Sequence, residues 1–133
     1  AVTNEGTGLG AELQLQLEQG NGTVWVASEP LVGTSTQSAA KLAVQVAKNY
    51  AKNTNKYDYK FRISSNASVV EGPSAGAAMT LLIISMLNDK PLNQQVSLTG
   101  TIDEDGSVGP IGGAFEKTKA ASKEGIKLFM IPK

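Results

Sequence analysis

The sequence of 133 residues contains no cysteine and no histidine. Without cysteine there is no disulfide, no thiolate nucleophile and no cysteine-based metal site. The missing histidine excludes the Ser-His-Asp and Cys-His catalytic arrangements and leaves zinc with poor ligands. Any hydrolase built from this chain needs another base, and no metal or other cofactor is implied. Charge of one sign is also lacking. The 12 basic residues balance the 12 acidic ones, which argues against nucleic acid or an anionic membrane surface as a partner. No apolar run reaches the roughly 18 residues a membrane-spanning helix needs. The phosphate-loop pattern of glycine, four residues, then Gly-Lys-Ser or Gly-Lys-Thr does not occur, so no ATPase motor is encoded here.

Length and composition describe one domain, residues 1–133, large enough to bury a core without staples. The first residue is Ala1 rather than methionine, which reads as an excised or processed piece of a longer chain. Any membrane anchor then lies outside this sequence. Charged residues are only 18%, Ser, Thr, Asn and Gln are plentiful, and Asn21-Gly22-Thr23 and Asn66-Ala67-Ser68 fit the glycosylation pattern. These features favour an extracytoplasmic or membrane-anchored location.

Residues 1–10 are glycine-rich and unpatterned, a flexible lead-in. Glu12 to Glu18 alternates strictly, with Leu13, Leu15 and Leu17 on one face, which predicts a strand with one wet side. Gly20-Asn21-Gly22 then predicts a hairpin to a second strand at Thr23–Ala27, where Trp25 packs rather than binds. An amphipathic helix is predicted over Ser38–Ala51, with Ala39, Leu42, Ala43, Val46, Ala47 and Tyr50 on its apolar stripe. Tyr57 to Ile63 alternates again, and its edge, at Tyr59, Phe61 and Arg62, is a candidate for pairing with an extended peptide substrate. Further strands are expected at Val96–Ile102, Ser107–Ile111 and Lys127–Ile131, with a helix over Ala114–Glu124 capped by Gly125. Strands interleaved with three helices give an α/β or α+β sandwich rather than a repeat.

The stretch around which this order is arranged is Val70–Leu87. Gly72, Pro73 and Gly76 punctuate a turn, and the residues from Ala75 to Leu87 are almost all apolar, which predicts a helix buried on every side. Ser74 therefore stands where a loop becomes a helix. A hydroxyl there lies beside unpaired N–H groups and the positive end of the helix dipole, the setting of a nucleophile with an oxyanion hole. A serine also caps helices, and this stretch alone leaves both readings open. Lys117 is the second candidate, because helical spacing puts it on one stripe with Ala114, Ala120 and Ala121. A desolvated lysine loses preference for its charged form, and lowering its pKa from roughly 10.4 to roughly 7–8 costs about 1.36 kcal/mol per unit. The bland alternative is a stem packed on alanines with the ammonium in water.

EGPSAGAAM at 71–79, SLTGTI at 97–102 and VGPIGGAFEKTKAASKEGIKLFMIPK at 108–133 together resemble the proteolytic domain of Lon proteases, serine peptidases with a Ser-Lys dyad. The GPSAG turn, the TG pair and the PIGG segment leading to a lysine occur in the family's order, and similarity extends weakly back to the opening strands. The resemblance implies an α+β fold with mixed sheets and helices in a two-layer arrangement, like domain 2 of ribosomal protein S5. It implies Ser74 as nucleophile, Lys117 as general base, Thr99 as the hydroxyl that orients the lysine, and backbone N–H groups of Ser74 and Ala75 as the oxyanion hole. Glu71, Gly72 and Pro73 become loop or gate residues, since a carboxylate beside the lysine would favour its charged form.

The implied substrate is a polypeptide, and the family's usual assembly is a homo-oligomer, a hexameric ring. Thr101 stands where the family has glutamate and Phe115 where a lysine is common. With the motor missing from this sequence, the expected activity is serine endopeptidase hydrolysis through an acyl-enzyme, either ATP-independent or with unfolding supplied by another segment or partner; the alternative is a Lon-like domain that binds peptides without cutting them. A phosphate-cradling loop at Gly72–Gly76 lacks nearby metal ligands, and the nucleophile elbow of α/β-hydrolases lacks its histidine.

Overall fold

Strict alternation of apolar and polar residues commits a strand to one buried face, and the two stretches that alternate best here lie side by side. A computed structural model describes residues 1–3 and 5–133. The elements run β1 (Ala11–Gln19), β2 (Val24–Val26), β3 (Leu31–Val32), α1 (Thr34–Ala47), β4 (Tyr57–Ser65), β5 (Val69–Val70), α2 (Gly76–Leu87), β6 (Val96–Leu98), β7 (Thr101–Ile102), β8 (Val108–Gly109), α3 (Ala114–Lys123) and β9 (Leu128–Met130). β1 and β4 pair antiparallel over their full lengths, from Ala11 opposite Ser65 to Gln19 opposite Tyr57. Leu13, Leu15 and Leu17 of β1 and Tyr59, Phe61 and Ile63 of β4 share the inner face. α1 and α2 pack on that face through Ala40, Ala43, Ala47, Met79 and Ile83, so the sheet and these two helices form two layers. The mixed α+β arrangement is the one expected from the sequence.

The hairpin expected between β1 and β2 does not form. β4 lies between them, antiparallel to β1 and parallel to β2, with Val24 opposite Tyr59 and Val26 opposite Phe61. Asp58 explains the insertion. Its Oδ1 accepts the N–H groups of Asn21 (3.0 Å) and Thr23 (2.9 Å), so the turn closes around the start of β4 rather than on itself. Gly20 makes room for this, because a Cβ there would lie 2.2 Å from the Asp58 carboxyl carbon. Turn chemistry was legible, but its partner was 37 residues away.

β4 is therefore an internal strand. Tyr59 and Phe61 are buried and paired on both sides, so the expectation that they offer a free edge to a substrate is overturned; Arg62 is paired to Gln14 on the β1 side, and the pairing with β2 stops at Phe61. α1 begins four residues before the predicted start: the Glu71 carboxylate accepts the Ser35 N–H of its first turn, and the Thr36 hydroxyl donates to the Gly72 carbonyl. Its end is tightened by N–H groups of Asn49 and Tyr50 bonding carbonyls three residues back, which leaves Tyr50 exposed. Residues 1–10 are not an unstructured lead-in over their described part. Thr3 and Thr7, and Leu9 and Ala1, are joined by backbone bonds, and Gly8 lies against the Glu116 carbonyl of α3; Asn4 is outside the described residues.

The Val96–Ile102 stretch breaks at Thr99-Gly100 into β6, parallel to β9, and β7, antiparallel to β8. α3 ends as its glycine foretold: Gly125 at φ 76° donates to the Ser122 carbonyl and Ile126 N–H to that of Ala121. α2 is not buried on every side. Met79 and Ile83 are fully buried, whereas Leu81, on the opposite face, is 39% exposed, as is Met86 in the last turn. The asymmetry sets the first expectation, read by urea unfolding. Ile83→Ala should cost about 2–5 kcal/mol, the range for emptying a packed aliphatic site. Leu81→Ala should cost under about 1 kcal/mol.

Candidate active site

Ser74 sits in the turn that opens α2. The N–H of Gly76 bonds the carbonyl of Pro73 at 3.0 Å, and Ala75 is the residue before the first helical one. The turn is pinned from the side by the break between β6 and β7. The Ser74 carbonyl accepts the Gly100 N–H (2.9 Å) and the Thr99 hydroxyl (3.2 Å), and the Gly100 carbonyl accepts the Ala77 N–H (3.1 Å). Thr99 is itself buried and tied to β9 by its N–H, which bonds the Met130 carbonyl. Each such bond contributes on the order of 1 kcal/mol net, enough together to fix the turn against thermal displacement.

Lys117 reaches this turn from the first turn of α3, where its own N–H bonds the Gly113 carbonyl at 3.0 Å. Its Nζ donates to Ser74 Oγ at 3.1 Å, across 43 residues of sequence. Burial alone pushes the Lys117 pKa below its ordinary value of 10.5. No carboxylate forms a salt bridge with it among the described residues, so nothing restores the charged form. The N–H groups of Ser74 and Ala75 have no hydrogen-bond partner among the described residues, while that of Gly76 is taken by Pro73.

The structure thus brings Ser74 and Lys117 into contact and places the other sequence candidates as follows. Thr99 holds the Ser74 carbonyl, and no hydrogen bond joins it to Lys117 among the described residues, in contrast to its expected role on the lysine. Glu71 and Gly72 face the start of α1 rather than the lysine: Glu71 Oε1 accepts the Ser35 and Gly72 N–H groups at 3.2 and 3.0 Å. Pro73 closes the turn through its carbonyl. Gly100, Ser35 and Thr36 were missed. The Thr34-Ser35-Thr36 run before an apolar stripe is a helix-start signal that could have located the last two.

A mixed α+β domain that sets a serine at a helix start against a half-buried lysine fits a serine hydrolase. Residues 13–133 match the family described as the Lon protease (S16) C-terminal proteolytic domain, and the chain belongs to that family. Among its relatives, the Lon protease of Helicobacter pylori (strain J99) is 38% identical over 103 residues, 77% of this chain and 12% of that protein. The Lon protease of Koribacter versatilis is 42% identical over 77 residues, 58% of this chain and 10% of that protein. That of Buchnera aphidicola (subsp. Acyrthosiphon pisum) is 35% identical over 108 residues, 76% of this chain and 14% of that protein. The chain therefore spans between 10% and 14% of the length of these relatives.

The lowered lysine pKa has a consequence for stability. Between the folded pKa and 10.5 the unfolded chain holds a proton on Lys117 that the folded chain does not, so stability rises with pH across that window. Below the window the full cost of the buried ammonium persists. Urea unfolding at a series of pH values should show this rise in the wild type, and Lys117→Met, which keeps the stem without the amine, should lack it.

Proposed function

We propose that this domain is a serine endopeptidase in which Ser74 attacks a peptide carbonyl and a neutral Lys117 amine acts as general base. The observation that carries the reading is the 3.1 Å contact between Lys117 Nζ and Ser74 Oγ, made by a lysine whose pKa burial has lowered. The serine proton passes to Nζ as the new C–O bond forms, and the tetrahedral oxyanion takes the unpartnered N–H groups of Ser74 and Ala75. Collapse breaks the C–N bond, and Nζ returns the proton to the leaving amine. Water, deprotonated by the same amine, then cleaves the ester. Positioned proton transfer contributes roughly 10²- to 10⁴-fold, and one oxyanion donor roughly 10²- to 10³-fold.

The substrate is an unfolded polypeptide, and the cleavage step at Ser74 needs no nucleotide, since neither the proton transfer nor the acyl transfer consumes one. A domain that only held peptides would gain nothing from desolvating an amine against a hydroxyl. Cleavage of an unfolded protein should proceed equally with and without ATP. Ser74→Ala and Lys117→Ala should each lower it by roughly 10³-fold or more, with little change in stability for Ser74→Ala. Undiminished cleavage by either variant would end the assignment.

The same reading includes self-association, in the hexameric ring implied by the family. Leu81 and Met86 on α2 and Phe115, 75% exposed on α3, are apolar surface that a second copy would cover. Sedimentation velocity should show a mass that rises with concentration, and a strict monomer at all concentrations would remove this part of the reading.

A further inference from the structure

α1 starts without a side-chain cap of its own: its N-cap residue is Gly33, and no acidic residue lies in its first turn. Four N–H groups at such a start lack helical partners, and a carboxylate placed there satisfies them and opposes the helix dipole. The carboxylate comes from the nucleophile's loop. Glu71 Oε1 accepts the N–H of Ser35 (3.2 Å) and of Gly72 (3.0 Å). The contact is returned, since Ser35 Oγ accepts the Gly72 N–H at 2.9 Å and the fully buried Thr36 donates its hydroxyl to the Gly72 carbonyl at 2.8 Å. β3 and β5 run parallel directly into this junction, with the Gly33 N–H on the Val70 carbonyl at 2.9 Å. Only Pro73 lies between Gly72 and Ser74, so the loop is held on one side by α1 and on the other by Thr99 and Gly100.

We propose that Glu71, Gly33, Ser35 and Thr36 form a clamp that positions the nucleophile, with the Glu71 carboxylate serving as a cap for α1 supplied from the Ser74 loop. The proposal rests on the serine reading given above and assigns Glu71 to positioning, not to chemistry. Gly33 is the fitted half of the clamp. Its φ of −72° and ψ of 168° suit any residue, so its backbone does not require glycine. The space does: a Cβ on Gly33 would lie 1.2 Å from Glu71 Oε2. Gly33→Ala is therefore a change that displaces the carboxylate without straining the backbone, and it should matter only while Glu71 is present.

The test uses the full chain with Glu71→Ala, Glu71→Gln, Gly33→Ala and the Gly33→Ala/Glu71→Ala pair. Site-resolved amide exchange at Ser35 and Gly72 reads the clamp without reference to cleavage, and kcat and KM on a denatured, labelled casein read its effect on the site. Glu71→Ala and Gly33→Ala should each speed exchange at both amides and lower kcat by up to ~10²-fold, the scale of a misplaced reacting group, with KM nearly unchanged. The pair should be no worse than Glu71→Ala alone, because both changes remove one interaction. Glu71→Gln keeps an acceptor oxygen and should recover most of both readouts, which also covers the case in which Glu71→Ala fails to fold. Unchanged exchange in Glu71→Ala, faster exchange with an unchanged kcat, or a pair whose losses multiply would each overturn the proposal. Ser74→Ala should leave exchange at Ser35 and Gly72 as in the wild type, so loss of the clamp and loss of the nucleophile are read separately.

Discussion

Everything near the serine depends on where its carbonyl goes. In a turn leading into a helix, the carbonyl of Ser74 could face water and leave the residue free to rotate. Here it accepts two donors from the break between β6 and β7, the Gly100 N–H and the Thr99 hydroxyl. Fixing the carbonyl fixes the peptide plane and therefore the direction of the side chain on the same residue. The reach of Lys117 from α3 to a point 3.1 Å from Ser74 Oγ has meaning only because that point does not wander. The interruption of the Val96–Ile102 stretch, which looks like a defect in a strand, is the feature that makes a pair of free donors available.

Periodicity carried most of what the sequence revealed. The inner faces of β1 and β4 were legible residue by residue, because alternation over seven or more positions has one physical meaning when one face must be dry. What failed was adjacency. The glycines at 20 and 22 announce a turn, but whether its two arms pair with each other or admit a third strand was decided by Asp58, whose carboxylate bonds the turn's N–H groups. The same limit misplaced the start of α1. An N–H of its first turn is taken by Glu71, and no local pattern near residue 34 contains a distant carboxylate. α2 was read as buried all round because it is apolar all round; in the single chain the face carrying Leu81 and the last turn at Met86 are open.

For the site, chemistry was legible and geometry was not. Ser74 and Lys117 could be singled out by residue type, position at helix starts and the missing histidine, yet nothing in their spacing fixes a distance across 43 residues. Thr99 illustrates the gap. Its identity as a hydroxyl near Ser74 and Lys117 was available, but the atom it serves is the Ser74 carbonyl rather than the lysine. The contact is surrounded by hydrogen bonds among residues 33–36, 71–77, 99–100 and 113–117. The site is an outcome of the completed fold, with few of its contacts local in sequence.

The direction in which Glu71 points bears on the state of the lysine. A carboxylate close to Nζ would form an ion pair, raise the Lys117 pKa and hold the amine in the form that cannot accept a proton. Glu71 lies only three positions before the serine and is the acid best placed by sequence to do this. Its carboxylate is instead occupied by the N–H groups of Ser35 and Gly72, and among the described residues the one salt bridge is Lys60–Glu18, on the sheet. Capping a helix and leaving the lysine unpaired are thus one arrangement seen from two sides. Desolvation then acts on Nζ without opposition from a carboxylate and lowers its pKa.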